Sequence, residues 1–220
     1  IVGAVISGSA FAAIEVKETT LGNGISSNKL TVPVYTGNIW SGFQTIAVHD
    51  TVTNTTKSFD AFCVDPYQFS SSTYSTYTVG GLNTTDTSFS SGVIGKITKL
   101  YNYAYAGTLG PSAAADTNAA ALQLALWEVI ADSSPDLLSG NVKGYTGQTN
   151  ASLMTATTNL LANYGSYSGP NNYNFTVYKS TTKQDFLVAR PVPEPETYAM
   201  MLAGLGLMGV VARKRNRINF

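Results

Sequence analysis

Asn118-Ala119-Ala120-Ala121-Leu122-Gln123-Leu124-Ala125-Leu126-Trp127-Glu128-Val129-Ile130-Ala131 is the stretch that decides the fold class. It is almost wholly apolar, so it predicts a helix buried nearly all round. Asp116-Thr117 reads as its cap. Outward from it, Val93-Ile94, Ile97, Leu100-Tyr101 and Tyr105 stand at helical spacing, with Gly107 and Gly110-Pro111 ending the run, which predicts a helix over 93–105. A third, weaker pattern predicts a helix over 152–164. The flanking sequence reads as strands: Thr31–Tyr35, Gln44–Val48 and Lys57–Val64 alternate or are β-branched. Gly22-Asn23-Gly24, Gly37-Asn38 and Asp50 through Thr55 punctuate them. Ser70–Ser91 has no apolar period and reads as exposed loop or edge strand. Tyr173, Phe175 and Val177, then Phe186 and Val188, resume the strand pattern. The expected fold is α+β: a β-rich sandwich or barrel-like domain over 13–190 with a helical insertion, followed by a short C-terminal hydrophobic helix.

Charged residues make up only 12% of the 220 residues, against about 25% in an ordinary soluble domain. Thr, Ser, Asn, Gly and Tyr carry the polarity instead. The 13 basic and 13 acidic side chains balance, but Arg213, Lys214, Arg215 and Arg217 crowd the last eight positions. The body is therefore mildly acidic, which argues against nucleic-acid binding. Ile1–Phe11 is apolar and small, and Ala10-Phe11-Ala12 fits a small-x-small cleavage pattern, so residues 1–12 are expected to be a signal-peptide remnant.

Pro191-Val192-Pro193-Glu194-Pro195-Glu196 cannot be helix interior, because proline removes donors and clashes with the preceding turn. Tyr198–Ala212 then runs 15 residues without a charge before the basic cluster. That run is shorter than the roughly 20 residues of a comfortable bilayer span, and the cluster Arg213, Lys214, Arg215 and Arg217 would act as a basic stop on the cytoplasmic side. The segment 191–220, with Pro193, Glu194 and Pro195 at its head and a hydrophobic helix at 198–212, resembles a PEP-CTERM sorting signal. The resemblance implies export in a Gram-negative bacterium, transient membrane contact, and cleavage by an exosortase-type membrane protease. The mature protein is then expected at the cell surface or in the extracellular matrix.

Few residues in the body can carry chemistry. Cys63 is the single cysteine and His49 the single histidine, so neither a disulfide nor a spare Cys-His or Ser-His-Asp set exists. His49 reads as a solvated or hydrogen-bonded strand residue. No Cys/His cluster has zinc spacing, no glycine-rich phosphate loop opens a helix, and no metal or cofactor is expected. No acid–base pair declares itself, so a polysaccharide hydrolase is the weakest reading and the protein is expected not to be an enzyme. Gln123 is the odd residue of the buried helix. A buried amide needs matched partners. They are either backbone groups of a facing strand or Cys63.

Phe62-Cys63-Val64-Asp65, followed by Leu122-Gln123-Leu124-Ala125-Leu126-Trp127, resembles the thioester domains of bacterial surface adhesins. The resemblance covers about residues 55–135. The usual Thr before the Gln is Leu122 here. It implies that Cys63 on a strand condenses with the Gln123 side chain on a helix, losing ammonia. Trp127 would then wall the pocket, with Asp65 beside it. Attack on that bond by an amine or hydroxyl would attach the protein to an extracellular polysaccharide or surface protein, once and without turnover. The alternative is a non-covalent matrix or polysaccharide-binding protein that stacks sugars on tyrosines, with Tyr74, Tyr77, Tyr101, Tyr103 and Tyr105 as candidates.

Overall fold

A two-residue turn at Pro33-Val34 folds the first part of the domain into a long antiparallel hairpin. In this computed structural model, which describes residues 13–193 together with Leu205 and Met208, strand β1 spans Ile14–Val32 and β2 spans Tyr35–Asp50. Thr31–Tyr35 is therefore a strand end, a turn and a strand start rather than one strand. Proline has no N–H to give a ladder and sits at the bend instead.

Gly22-Asn23-Gly24 and Gly37-Asn38 do not end strands either. The first lies at a register shift between Leu21 and Gly24 in the β1–β2 ladder, and the second lies inside β2. The bulge is held by close backbone approach. Gly24 pairs with Gly42, whose φ is +150°, and a Cβ on Gly42 would stand 2.2 Å from the Asn23 carbonyl oxygen. The Asn23 side chain is thereby turned out, and its Nδ2 donates to the carbonyls of Thr108 at 2.9 Å and Gly110 at 2.7 Å.

The turn expected between Asp50 and Thr55 is present. It leads into β3 (Thr55–Cys63), followed by β4 (Ser75–Gly81) within the Ser/Thr-rich stretch. Three helices come next: α1 (Ser91–Ala104), α2 (Ala113–Ala131) and α3 (Ala151–Asn163), with β5 (Lys143–Gly144) between the last two. Strands β6 (Tyr173–Lys179) and β7 (Phe186–Pro191) return to the sheet. All pairings are antiparallel. Because β1 pairs with both β2 and β4, the order β1-β2-β3-β7-β6-β4 closes on itself into a six-stranded barrel, with β5 joined to the far end of β1. Closure removes the free edges that an open sheet would expose.

Two cores result. One fills the barrel with Val16, Ile46, Val48, Ala61, Phe186 and Val188. The other lies between the barrel wall and the helices, around Phe62, Leu100, Tyr101, Leu122, Leu126 and Leu187. Strand alternation explains the division, since Ala61 and Phe62 face opposite sides of β3. Every residue of α2 from Ala119 to Val129 is buried, as its composition requires. The helix begins earlier than Asp116-Thr117, however. Ser112 is the cap, its Oγ accepting from Ala115 N at 3.1 Å, which places Asp116 in the first turn near the positive end of the helix dipole. Ser90 and Asn150 cap α1 and α3 in the same way.

Burying α2 on all sides also buries Glu128. Neither of its carboxylate oxygens has a hydrogen-bond partner. Burial first, and then the nearby Asp132 and Asp136 carboxylates, push its pKa up to about 9 against the weaker downward pull of the Asp136 backbone N–H, so it is held neutral at physiological pH.

Among the described residues no helix is long and apolar enough to cross a membrane. The expected signal-peptide remnant at 1–12, Glu194, Pro195, the basic cluster and the helix expected at 198–212 (apart from Leu205 and Met208, both helical and exposed) lie outside the described residues.

Candidate functional site

Cys63 is the last residue of β3, where that strand leaves β2 and pairs with β7 through Phe62–Leu187 and Cys63–Phe186. Buried α2 crosses this strand end and sets Gln123 directly on it. The Cys63 amide N–H donates to Gln123 Oε1 at 3.0 Å, and Gln123 Nε2 donates to the Cys63 carbonyl at 2.8 Å. Both ends of the buried amide are thus satisfied by one residue of the facing strand, 60 positions away in sequence. One helical turn on, Trp127 Nε1–H donates to Cys63 Sγ at 3.4 Å.

The sulfur has two further neighbours. It accepts from the Asp65 amide N–H at 3.4 Å, and its own S–H points to the Asp65 carbonyl at 3.4 Å. Gln184 Nε2 shares that carbonyl at 3.2 Å. Burial pushes the Cys63 thiol well above the ordinary cysteine range, outweighing the Trp127 and Asp65 hydrogen bonds, so the free thiol is protonated at neutral pH. Asp65 therefore serves the site through its main chain, while its side chain turns away to accept from Tyr67 N at 2.9 Å. Burial raises the Asp65 pKa. Asp185, next to this loop, is raised to about 6, by burial first and by Asp65, against a hydrogen bond from Ser180 N.

Beside Gln123 and Trp127 lies a cavity of about 370 Å³, bounded by the β1–β2 hairpin and the loop after Asp65. Its walls include Trp40, Gln44, Gln68 and Glu18. Nothing in the sequence pattern singled these residues out. They come from separate segments that only the hairpin and the loop at 66–70 bring together.

Tyr77, Tyr101 and Tyr105 cannot stack on a sugar. Tyr101 is fully buried and packs edge-on against Phe62 and Phe175, Tyr105 joins the same cluster, and buried Tyr77 donates to the Gln184 carbonyl. Of the five tyrosines expected to stack on sugars, Tyr74 and Tyr103 are exposed. His49 sits on β2 with Nδ1 3.1 Å from Thr56 Oγ1, in the bland role its position suggested. Among the described residues no group of His, Cys, Asp and Glu could hold a metal ion.

Residues 191–216 match the PEP-CTERM protein-sorting motif. The chain thus carries an export sorting signal of the kind processed by exosortase membrane enzymes. The domain is similar in structure to the N-terminal thioester domain of a surface protein from Clostridium perfringens, with 14% identity and a TM-score of 0.49 over 82% of this chain and 99% of that one. It is also similar to the N-terminal domain of the Streptococcus pyogenes pilus tip adhesin Cpa, with 14% identity and a TM-score of 0.48 over 80% of this chain and 99% of the other. No curated protein sequence matches the chain.

Proposed function

We propose that this exported protein is a covalent attachment module, sorted through a Gram-negative envelope to the cell surface or matrix, and that Cys63 and Gln123 form its reactive thioester. The observation that carries this reading is the double hydrogen bond between the Gln123 amide and the Cys63 backbone, with Trp127 Nε1–H on the sulfur. The Cys63 N–H polarises the Gln123 carbonyl as an oxyanion donor would, and the sulfur of the same residue is held by Trp127, one turn further along α2.

The chemistry balances without a cofactor. Cys63 Sγ adds to Gln123 Cδ, the C–N bond breaks, and the thiol proton leaves with the amide nitrogen as ammonia. A hydroxyl or amine of a partner then adds to the same carbon. The C–S bond breaks, and the partner's proton passes to sulfur. The products are an ester or amide of Gln123 and a free Cys63 thiol. Burial disfavours a departing thiolate and so guards the bond against water, while Trp127 Nε1–H and Asp65 N–H stand ready to take the charge that develops on sulfur. Each molecule reacts once, so the module binds its target irreversibly and does not turn over.

Thiol titration under denaturing conditions tests this. Freshly purified protein is expected to show no free thiol, and one thiol per chain after exposure to methylamine. A full thiol on unfolding without amine would overturn the reading.

A further inference from the structure

The cavity beside Gln123 has a lining whose chemistry is specific. Both tryptophans of the chain, Trp40 and Trp127, line it. Side-chain amides from Asn38, Gln44, Gln68 and Gln184 supply donors and acceptors around the wall. The one charged residue there is Glu18, whose Oε2 accepts from Ser70 Oγ at 2.5 Å, and no Lys, Arg or His joins it. Large apolar side chains that belong inside a protein stand open at its mouth: Leu21 is 50% exposed, Tyr35 47% and Phe69 60%. Tyr35 and Phe69 meet edge to face, their ring centroids 6.4 Å apart. A gathering of exposed apolar side chains around a polar-lined hollow marks a binding site.

Two residues of the wall each hold an unsatisfied polar atom behind its surface. Trp40 Nε1–H and Gln44 Oε1 are buried and have no partner. One needs an acceptor and the other a donor. An ammonium group offers donors only and would leave the indole N–H orphaned, whereas a hydroxyl offers both. The terminal torsion of a glutamine is broad, so a small rotation turns the Gln44 oxygen toward a ligand. Sugars combine such hydroxyls with flat C–H faces that pack on aromatic rings.

Resting on the covalent-attachment reading, we propose that this cavity is a recognition subsite for a neutral saccharide, and that it presents a sugar hydroxyl to the Cys63–Gln123 bond. The linkage formed is then an ester between the Gln123 acyl carbon and that hydroxyl, with the hydroxyl proton passing to Cys63 Sγ. Glu18 excludes anionic sugars, since a uronate would place a second carboxylate in a wall without a cation.

Because both tryptophans line the cavity, intrinsic fluorescence reports on its occupancy. The full chain is titrated with cellobiose, maltose, lactose and N,N′-diacetylchitobiose, with glucuronic acid and an N-acetyl-lysine amide as comparators. The proposal expects a saturable change with at least one neutral disaccharide, at least about tenfold weaker in Gln44→Leu and in Trp40→Phe, each losing one hydrogen bond. It also expects glucuronic acid to bind more weakly. No response to any disaccharide, an unchanged affinity in Gln44→Leu, or a preference for the lysine amide would each overturn it, the last in favour of a peptide partner. The intact mass of the same sample reports separately whether ammonia has been lost. Saccharide binding without ammonia loss would sink the thioester and leave the subsite standing, and ammonia loss without saccharide binding would do the reverse.

Discussion

Replacing Glu128 by Gln should make the protein more stable at neutral pH, although it alters a side chain in the middle of the core. Both Glu128 oxygens are buried without partners, and burial with Asp132 and Asp136 nearby lifts the pKa from 4.5 to about 9. The sign follows from proton binding. Between these two values the folded chain keeps the Glu128 proton and the unfolded chain releases it, so stability falls as pH rises through the window. Each pH unit there is worth about 1.4 kcal/mol, so at pH 7 the penalty is about 3 kcal/mol. A glutamine carries no such penalty but brings an amide whose donors also lack partners, which offsets about 1 kcal/mol. The net expectation is a gain of about 2 kcal/mol at pH 7, shrinking to nothing or reversing near pH 4. Urea unfolding followed by tryptophan fluorescence, repeated from pH 4 to 9 for both proteins, measures the gap directly. A Glu128→Gln protein that is less stable than wild type at pH 8, by a margin growing with pH, would refute the reasoning. It would mean that Glu128 is ionised and paired in the folded state.

Other substitutions probe separate parts of the account. Trp127→Phe keeps the wall of the site but removes the N–H on sulfur; ammonia loss after refolding, timed by mass spectrometry, should slow by about tenfold, the equivalent of one modest hydrogen bond. Gly42→Ala sets a Cβ 2.2 Å from the Asn23 oxygen at a φ of +150°, and should destabilise the hairpin by about 2 kcal/mol or more in denaturant titrations. Ser112→Ala removes the true cap of α2 and should lower unfolding free energy by about 1 kcal/mol, whereas Thr117→Ala, whose hydroxyl only bonds back to Ala113, should change it by well under that.

Local signals and long-range geometry differed in how far the sequence revealed them. Helix α2 was legible because its composition leaves burial as the only option, and β6 and β7 because Phe175, Val177, Phe186 and Val188 keep the strand period. Cys63 and Gln123 stood out as chemical oddities, a lone thiol in a strand and an amide in an apolar helix, and the structure sets them against each other. The closed barrel was not legible in detail. The glycines at 22, 24 and 37 read as turn signals, whereas in the fold they lie within long strands, where a bulge and close strand approach depend on the partner strand. Ser112 is not legible as the cap because Asp116-Thr117 is an equally good local signal, and only packing extends the helix back to Ala113. Tyr101 and Tyr105 look available for sugars in the sequence, but α1 and the turn that follows it point them into the core. Glu128 carries a readable signal, an acid inside an apolar run. The cavity wall had none, since Glu18, Trp40, Gln44 and Gln68 meet only in the folded chain.

The central claim is that the Gln123 amide, already held against Cys63, gives up its nitrogen to the sulfur. The intact mass of the purified protein beside its Cys63→Ala variant tests this most directly. The account predicts a wild-type mass lower than calculated by one ammonia, a variant at its full calculated mass, and a wild-type mass raised by one methylamine after treatment with that amine. A wild-type protein at its full calculated mass, indifferent to methylamine, would contradict the account and leave Gln123 as a structural clamp on the end of β3.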